Sequence, residues 1–283
     1  MRNLSIPRRL IPRKSFGAVL ATAGLLSLAC GRAGTEIVVQ GSPTFLPVAR
    51  PAVAAYRPTR RPSAVLLTAG SAEGMRALLA GTCDIAALAR QLTAAESRGA
   101  VEAGADLRTF RLGYAAAVPV VHRDNPVTGL TVEQLRGIWS GTIRNWKDVG
   151  GPDLPIHVVT RAAGSALSDL WDEGVMRGAS TRADATLAAT AEGVPDPMLA
   201  FVSLDPAAIG FTGMGEKTGL KPLAVGGIAA TDGSLKSGRF PLSRVLYLVT
   251  DGRTATDTVQ GFIDFLLEPE GQGLVRRAGY LPA

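Results

Sequence analysis

Short apolar segments of strand length alternate with segments of helical spacing from residue 36 onward, and this alternation is the strongest constraint on the fold. Strands are predicted at Glu36 to Gln40 (EIVVQ), Ala64 to Thr68 (AVLLT) and Asp84 to Leu88. Helices are predicted between them, at Phe45 to Tyr56 and Glu73 to Ala80. Because strands joined through helices pair in parallel, this βαβαβ order indicates a parallel sheet covered by helices, and therefore an α/β fold.

The same alternation continues through the rest of the chain. Further strands are predicted at Tyr114 to Val121, Pro155 to Thr160, Ala208 to Thr212 and Arg244 to Thr250. Helices are predicted after the capping box Thr131-Val132-Glu133-Gln134, from Gly164-Ser165 to about Trp171, and from Thr256 to Leu267 with Val259, Phe262, Ile263 and Leu266 on the core face. The stretch from Ala179 to Met198 is ambiguous, and helix is the favoured interpretation there.

The N-terminal segment has the composition of an export signal. Arg2 to Lys14 is basic, and Phe16 to Ala29 gives 14 residues without a charge, which is too short to span a bilayer comfortably. Leu26 to Cys30 (LSLAC) resembles the lipobox of bacterial lipoproteins, although Ser27 stands where Leu is more usual. We therefore expect residues 1–29 to be a lipoprotein signal peptide and Cys30 to carry the lipid. The alternative is ordinary cleavage near Ala29, with Cys30 an incidental thiol.

The positive charge of the chain comes from this segment. The net charge is +6 and the pI about 9.7. Removing residues 1–29 takes away five of the 30 basic residues and no acid, which leaves 25 basic residues against 24 acidic ones. Because the exported chain is nearly neutral, a basic binding face is not supported, and we expect no nucleic-acid partner.

Cysteine and histidine are too few for a metal centre. The cysteines are Cys30 and Cys83, and Cys83 lies in an apolar context that favours a buried small residue. His122 and His157 both fall in predicted strands, and no CxxC pair or His/Cys cluster exists. We therefore expect neither a metal nor a cofactor.

Three strand-to-helix turns are rich in small hydroxyl residues. They are Gly41-Ser42-Pro43-Thr44, Ala69-Gly70-Ser71, and Gly164-Ser165 with Arg161 before it. Helix N-termini present unpaired N–H groups, and in parallel α/β sheets such turns collect at the carboxyl ends of the strands. Together with one Arg they can form a site for a compact oxyanion. The alternative for each Ser or Thr is a helix N-cap without a ligand.

Four segments carry a resemblance to a known family. The most specific is Gly137 to Ser165 (GIWSGTIRNWKDVGGPDLPIHVVTRAAGS), and Ala208 to Gly213, Phe240 to Val249 and Phe262 to Pro282 also match. In these segments the chain resembles the phosphate-binding proteins of bacterial ABC importers, and the resemblance runs from about Glu36 to Ala283.

The resemblance implies a type II-like periplasmic-binding-protein fold of two α/β lobes, with the ligand in the cleft between them. Residues 36–114 and 246–283 would form the first lobe, and residues 115–245 the second. The implied ligand-binding residues are Thr44, Phe45, Ser71, Arg161, Gly164, Ser165, Ala166 and Leu167. Arg161 would be the only cationic side chain in the cleft.

Two positions depart from the family pattern. The third loop usually reads Gly-Ser-Gly-Thr, and here Leu167 replaces the Thr. Asp or Ser is usual at the end of the third strand, and here Ala89 stands there. We therefore expect weaker phosphate binding and poorer rejection of sulfate than in a relative with the full motif.

The function implied is extracytoplasmic capture of inorganic phosphate for an ABC importer, by a monomeric, membrane-anchored lipoprotein that is not an enzyme. Its partners would be phosphate or a related oxyanion, an ABC permease in the inner membrane, and the membrane itself through the lipid. One alternative is a binder of another oxyanion, or a degenerate site in a sensory or adhesive lipoprotein. A more remote alternative is a serine hydrolase using Ser165, but no G-x-S-x-G elbow is present.

Overall fold

The computed structural model describes residues 36–56, 63–162, 165–188, 197–215 and 219–283. The predicted signal peptide, Cys30 and Gly164 lie outside these described residues. All of the described chain belongs to one compact unit, Ala33–Ala283.

Strands and helices alternate along the described chain. The strands are β1 (Glu36–Gly41), β2 (Ser63–Thr68), β3 (Ile85–Leu88), β4 (Leu107–Ala116), β5 (Val118–His122), β6 (Gly129–Leu130), β7 (His157–Arg161), β8 (Thr186–Ala188), β9 (Ala208–Thr212), β10 (Leu220–Pro222), β11 (Ala224–Val225), β12 (Ser243–Asp251) and β13 (Leu281–Pro282). The α-helices are α1 (Leu46–Ala55), α2 (Ser71–Leu79), α3 (Ala94–Glu102), α4 (Val132–Ser140), α5 (Ala166–Trp171), α6 (Pro197–Leu204), α7 (Asp232–Lys236), α8 (Asp257–Leu267) and α9 (Pro269–Arg277). Pro43–Phe45 and Trp146–Val149 form 3-10 turns, and Asp172–Met176 forms a π-helical turn.

The first sheet has the strand order β13-β4-β12-β3-β1-β2. Its β1 pairs in parallel with β2 and with β3, in the registers Val39↔Leu66 and Val39↔Ile85. The predicted parallel βαβαβ unit is therefore confirmed. Its core includes the four predicted apolar residues of α8, all of which are buried.

The second sheet has the order β10-β5-β9-β7-β8 and packs around a tryptophan-rich core. Trp171 stacks on Phe211 with ring centroids 4.3 Å apart, and Trp139 packs at 4.4 Å from Trp171. Trp146 is also fully buried, and its indole N–H donates to the carbonyl of Ala207 at 2.9 Å. This core supports α5 and the π-helical turn, which carry residues of the candidate site.

The chain crosses between the sheets through β4 and β12. These two strands pair antiparallel in the first sheet, and the N–H of Ala117 donates to the carbonyl of Leu242 at 2.9 Å where the chain leaves β4. Two α/β lobes joined by crossing strands result, which confirms the predicted fold class. The predicted single strand from Tyr114 to Val121 is wrong, because its halves belong to β4 and β5 in different sheets. The predicted lobe boundaries at residues 114 and 246 fall inside β4 and β12, and they stay a prediction.

The favoured helix from Ala179 to Met198 is wrong between Ala179 and Ala188, whereas Pro197 and Met198 do belong to a helix. Thr186–Ala188 form β8, an edge strand that pairs in parallel with β7. Tertiary pairing with β7 has overridden the local preference here. Residues 189–196 lie outside the described chain, and α6 begins at Pro197, where the missing proline N–H removes no helical hydrogen bond.

No helix among the described residues combines the length and the apolar character needed to cross a membrane.

Candidate anion-binding site

A cavity of about 650 Å³ opens at the carboxyl ends of β1, β2 and β3. The loops after these strands form one side, and α5, the π-helical turn and the start of β12 form the other. The lining residues are Ser42, Pro43, Thr44, Ala69, Gly70, Ser71, Ala72, Glu73, Arg76, Ala89, Arg90, Gln91, Asp169, Glu173, Ser243, Arg244 and Val245. The first two predicted hydroxyl loops therefore meet at one cavity.

The loop after β1 is held by its own hydroxyl groups. Ser42 Oγ accepts the N–H of Thr44 at 3.3 Å and donates to Thr44 Oγ1 at 3.1 Å. The hydroxyl of Tyr280 donates to the carbonyl of Thr44 at 2.9 Å. Phe45 is buried in the core, does not line the cavity, and donates its N–H to the carbonyl of Ser42 at 3.1 Å. Thr44 thus reaches the cavity as predicted, whereas the N–H of Phe45 is already engaged in closing the 3-10 turn.

The loop after β2 brings Ser71 to the end of β3. Gly70 has a positive φ of 88° immediately before α2, a conformation that favours glycine. The Ser71 hydroxyl accepts the N–H of Ala89 at 3.1 Å. As an acceptor in that bond, the hydroxyl keeps its own proton for a ligand in the cavity.

Arg90 follows β3 and is tied to α3. Its two guanidinium NH₂ nitrogens donate to Glu96 at 2.8 and 2.7 Å, which raises the pKa of Arg90. The same hydrogen bonds lower the pKa of Glu96 to about 2. Arg90 therefore lines the cavity, but its positive charge is already paired with the carboxylate of Glu96.

The opposite wall carries Asp169, Glu173 and Arg244. Arg244 Nη2 lies 2.5 Å from Glu173 Oε2, and the Arg244 side chain is only 16% exposed against 70% for Glu173. Burial raises the pKa of Asp169, with Arg244 acting against the shift and Glu173 adding to it. Burial also raises the pKa of Tyr280, and there Arg244 opposes the shift and Asp169 adds to it. The Tyr280 hydroxyl is thus hydrogen-bonded to the Thr44 loop and also experiences the charges of Arg244 and Asp169.

Arg161, the predicted charged donor, is buried and does not line the cavity. Its Nε and Nη2 each lie 3.3 Å from the carbonyl of Phe211, to which they donate, and its guanidinium carbon lies 5.7 Å from the Phe211 ring centroid. Arg76, Arg90 and Arg244 line the cavity instead. The prediction that Arg161 is the only cationic side chain in the cleft is therefore wrong. The sequence analysis did not identify Arg244 as a candidate site residue. Its position as the one charged residue at the start of the apolar strand RVLYLVT is the pattern that could have indicated it.

The third predicted loop is a helix cap in this structure. Ser165 Oγ accepts the N–H of Ser168 at 3.1 Å, and Ser165 N–H donates to Ser168 Oγ at 3.0 Å. Ala166 packs against the core of the first lobe and Leu167 against that of the second. Helix α5 contacts the 3-10 turn Pro43–Phe45, yet Ser165, Ala166 and Leu167 do not line the cavity.

Neither histidine supports catalysis by Ser165. His157 Nδ1 lies 2.6 Å from Asp205 on an exposed surface, and His122 pairs with Asp124. Neither ring forms a hydrogen bond with Ser165 in the described structure. The same described residues contain no group of three or more His, Cys, Asp or Glu side chains arranged to hold a metal ion.

Comparison with known proteins matches this architecture. A family model described as a PBP superfamily domain matches residues 29–270. A phosphate-binding protein PstS of Borreliella burgdorferi is 29% identical over 258 residues, which cover 87% of this chain and 89% of the relative. The structure of an ABC-type phosphate transport receptor from Vibrio cholerae aligns with a TM-score of 0.68 at 28% identity, over 88% of this chain and 100% of the receptor.

A Clostridium perfringens protein with bound phosphate, described as a phosphate ABC transporter substrate-binding protein, aligns with a TM-score of 0.58 at 26% identity, over 88% of this chain and 99% of its own. The family match covers β1 to β12 and every residue that lines the cavity. The chain therefore belongs to the PBP superfamily.

Proposed function

We propose that this protein captures inorganic phosphate outside the cytoplasm and delivers it to an ABC permease in the inner membrane. The observation that carries the proposal is the cavity at the carboxyl ends of three parallel strands, which hydroxyl groups and Arg244 of the crossing strand β12 line together. The likeness to phosphate-transport proteins over nearly the whole described chain supports phosphate as the anion.

The donors for the anion come from two strand-to-helix loops and from the crossing strand β12. Thr44 and Ser71 offer hydroxyl groups from the loops after β1 and β2, and Arg244 offers charge-assisted hydrogen bonds from the start of β12. Phe45, Arg161, Gly164, Ser165, Ala166 and Leu167 stay predicted ligands. Those of them that the structure describes reach the anion only if the lobes or the third loop rearrange, and lobe closure about the crossing strands is such a motion.

Attachment to the membrane is a further part of the proposal. A lipid on Cys30 holds the protein at the outer side of the inner membrane, as a monomer within reach of the permease. The basic segment and the uncharged run before Cys30 support it. We propose a binding protein and not an enzyme.

Titration calorimetry of the chain beginning after Cys30 tests the proposal. Phosphate, sulfate, arsenate and molybdate are titrated into the wild type, Ser71→Ala and Ser97→Ala. Ser97 is an exposed α3 residue whose hydroxyl donates to the carbonyl of Thr93, so it is a matched control. Loss of one hydrogen bond to the charged anion should weaken phosphate binding roughly ten- to a hundredfold in Ser71→Ala, and Ser97→Ala should bind like the wild type.

Other outcomes separate the alternatives. Preference for a different anion indicates another oxyanion as the cargo, and no binding of any of the four indicates a degenerate site. Phosphatase or esterase turnover that disappears in Ser165→Ala would overturn the binding function in favour of a hydrolase.

A further inference from the structure

The turn between α9 and β13 lies against the loop that carries Thr44. Tyr280, in this turn, is buried in the core of the first sheet, and its hydroxyl donates to the carbonyl of Thr44 at 2.9 Å. Burial raises the pKa of Tyr280 well above its ordinary value, so the hydroxyl keeps its proton and stays a donor at neutral pH. The position of the Thr44 backbone therefore depends on the position of the Tyr280 ring.

The side chain of Thr44 offers a donor to the cavity. Thr44 lines the cavity, and its Oγ1 accepts a hydrogen bond from Ser42 Oγ at 3.1 Å. As an acceptor in that bond, the Thr44 hydroxyl keeps its own proton for an anion. The 3-10 turn Pro43–Phe45 is only three residues long, so a shift of the Thr44 carbonyl would also move this hydroxyl.

The residue before Tyr280 contacts the second lobe. Gly279 has a φ of 79°, and its carbonyl accepts the N–H of Met214 at 2.7 Å. Met214 follows β9 and packs against the tryptophan-rich core. A Cβ on Gly213 would lie 2.6 Å from the Gly279 carbonyl oxygen, so the two backbones approach more closely than a side chain allows. The same turn thus contacts Thr44 through Tyr280 and the second lobe through Gly279.

We propose that Tyr280 is a positioning residue for anion binding, which holds the Thr44 hydroxyl in place and, through Gly279, makes its position depend on that of the second lobe. Tyr280 itself does not line the cavity, so it acts through Thr44. Because β13 follows at once and pairs with the crossing strand β4, the turn is fixed on both sides. This proposal rests on the proposed function, to which it adds a residue that does not touch the ligand.

A double-mutant cycle with Thr44→Val tests the first part of the proposal. This substitution keeps the backbone carbonyl that Tyr280 binds and removes only the side-chain hydroxyl. Inorganic phosphate and arsenate are titrated calorimetrically into the wild type, the two single variants and the double variant, and urea unfolding gives the stability of all four. Tyr247→Phe is the control, because Tyr247 is a half-buried β12 residue that hydrogen-bonds Arg111 and lies outside the cavity lining.

Tyr280→Phe should weaken phosphate and arsenate binding about two- to tenfold, the range for one neutral hydrogen bond. In the Thr44→Val background the same change should alter the affinity by less than about twofold, because the hydroxyl that Tyr280 positions is gone. The loss of stability from Tyr280→Phe should be equal in both backgrounds, since the Thr44 carbonyl loses its partner in each. Tyr247→Phe should bind like the wild type.

Gly213→Ala tests the link to the second lobe, because its Cβ has to displace the Gly279 carbonyl. Gly215→Ala is the matched control, since its Cβ would meet Gly279 only at 4.0 Å. Gly213→Ala should weaken phosphate binding by up to the loss in Tyr280→Phe, about two- to tenfold, and should lose most of this effect in the Tyr280→Phe background. Gly215→Ala should bind like the wild type.

Two results would overturn the proposal while leaving phosphate binding in place. One is an equal loss of affinity from Tyr280→Phe with and without the Thr44 hydroxyl, which would indicate a purely structural role. The other is an equal loss from Gly213→Ala with and without the Tyr280 hydroxyl, which would remove the link to the second lobe. A wild type that binds neither phosphate nor arsenate would instead refute the proposed function, and this inference with it.

Discussion

An anion that binds Arg244 competes with its present partner, Glu173, for the guanidinium. The two side chains are 2.5 Å apart, but Glu173 is 70% exposed, so water already competes for its carboxylate. Exposed ion pairs contribute about 0.2–1 kcal/mol, and that is the cost an incoming anion has to overcome. Glu173→Gln should therefore tighten phosphate binding by about 1.5- to fivefold.

A double-mutant cycle isolates this exchange. Arg244→Gln alone should weaken phosphate about ten- to a hundredfold, because it removes hydrogen bonds from a charged donor. In the Arg244→Gln background, Glu173→Gln should lose most of its benefit, since no cation remains to be released. Glu102→Gln removes an exposed acid on α3 outside the cavity lining, and it controls for the change in net charge.

Calorimetry at low and moderate salt provides the measurement. The gain from Glu173→Gln should shrink as salt rises, because exposed charges are screened over about 10 Å at 0.1 M ionic strength. Weaker phosphate binding in Glu173→Gln would refute the exchange. A gain of the same size in the presence and absence of Arg244 would refute it equally.

Three further predictions concern stability and anchoring. Arg90 lowers the pKa of Glu96 from 4.5 to about 2, so the pair stabilises the fold above about pH 5 and this contribution is lost as the pH falls towards 2. Urea unfolding should show Glu96→Gln about 1 kcal/mol less stable than wild type at pH 7, with the difference shrinking by pH 3. Gly74→Ala should destabilise by about 1–3 kcal/mol, because its Cβ would lie 2.5 Å from the carbonyl oxygen of Gln40, whereas Gly99→Ala meets no atom within 4 Å and should stabilise α3. Cys30→Ser should abolish lipid labelling and leave the protein unprocessed or soluble; wild type found wholly in the soluble fraction would contradict the anchor.

Local patterns predicted the parallel β1, β2 and β3 unit of the first sheet well, because these strands follow one another along the chain. Each of β1, β2 and β3 is an apolar run bounded by turn residues, and the helices between them require parallel pairing. The passage of the chain from one sheet to the other at Ala117 could not be predicted from the sequence. The run from Tyr114 to Val121 is apolar throughout, and nothing in it indicates that its two halves pair in different sheets. Strand β8 was missed for the same reason, since its stability comes from its neighbour β7 and not from its own residues.

Hydroxyl donors were easier to predict than charges. Thr44 and Ser71 lie directly after strands, so the topology alone brings them to one edge of the sheet. Asp169 and Arg244 come from a helix and a crossing strand far apart in the sequence, and only tertiary packing places them at the same cavity. Arg161 has the right position in the chain, but its guanidinium packs on Phe211, a contact that spans 50 residues.

Pairing of the charged groups decides which cation a ligand can reach. Arg90 uses both NH₂ groups on Glu96, whose side chain is 15% exposed, so separating that pair would leave a carboxylate with little access to water. Arg76 is 74% exposed and well solvated, so a bond from it to an anion would gain little. Arg244 is the reverse case, with a mostly buried guanidinium and a mostly solvated partner. Folding has already removed most of the water around the Arg244 guanidinium, so an incoming anion does not add that desolvation cost. Glu173 is exposed and is solvated again when the anion displaces it. Of the three arginines that line the cavity, Arg244 is therefore the one that an anion can bind at the lowest free-energy cost.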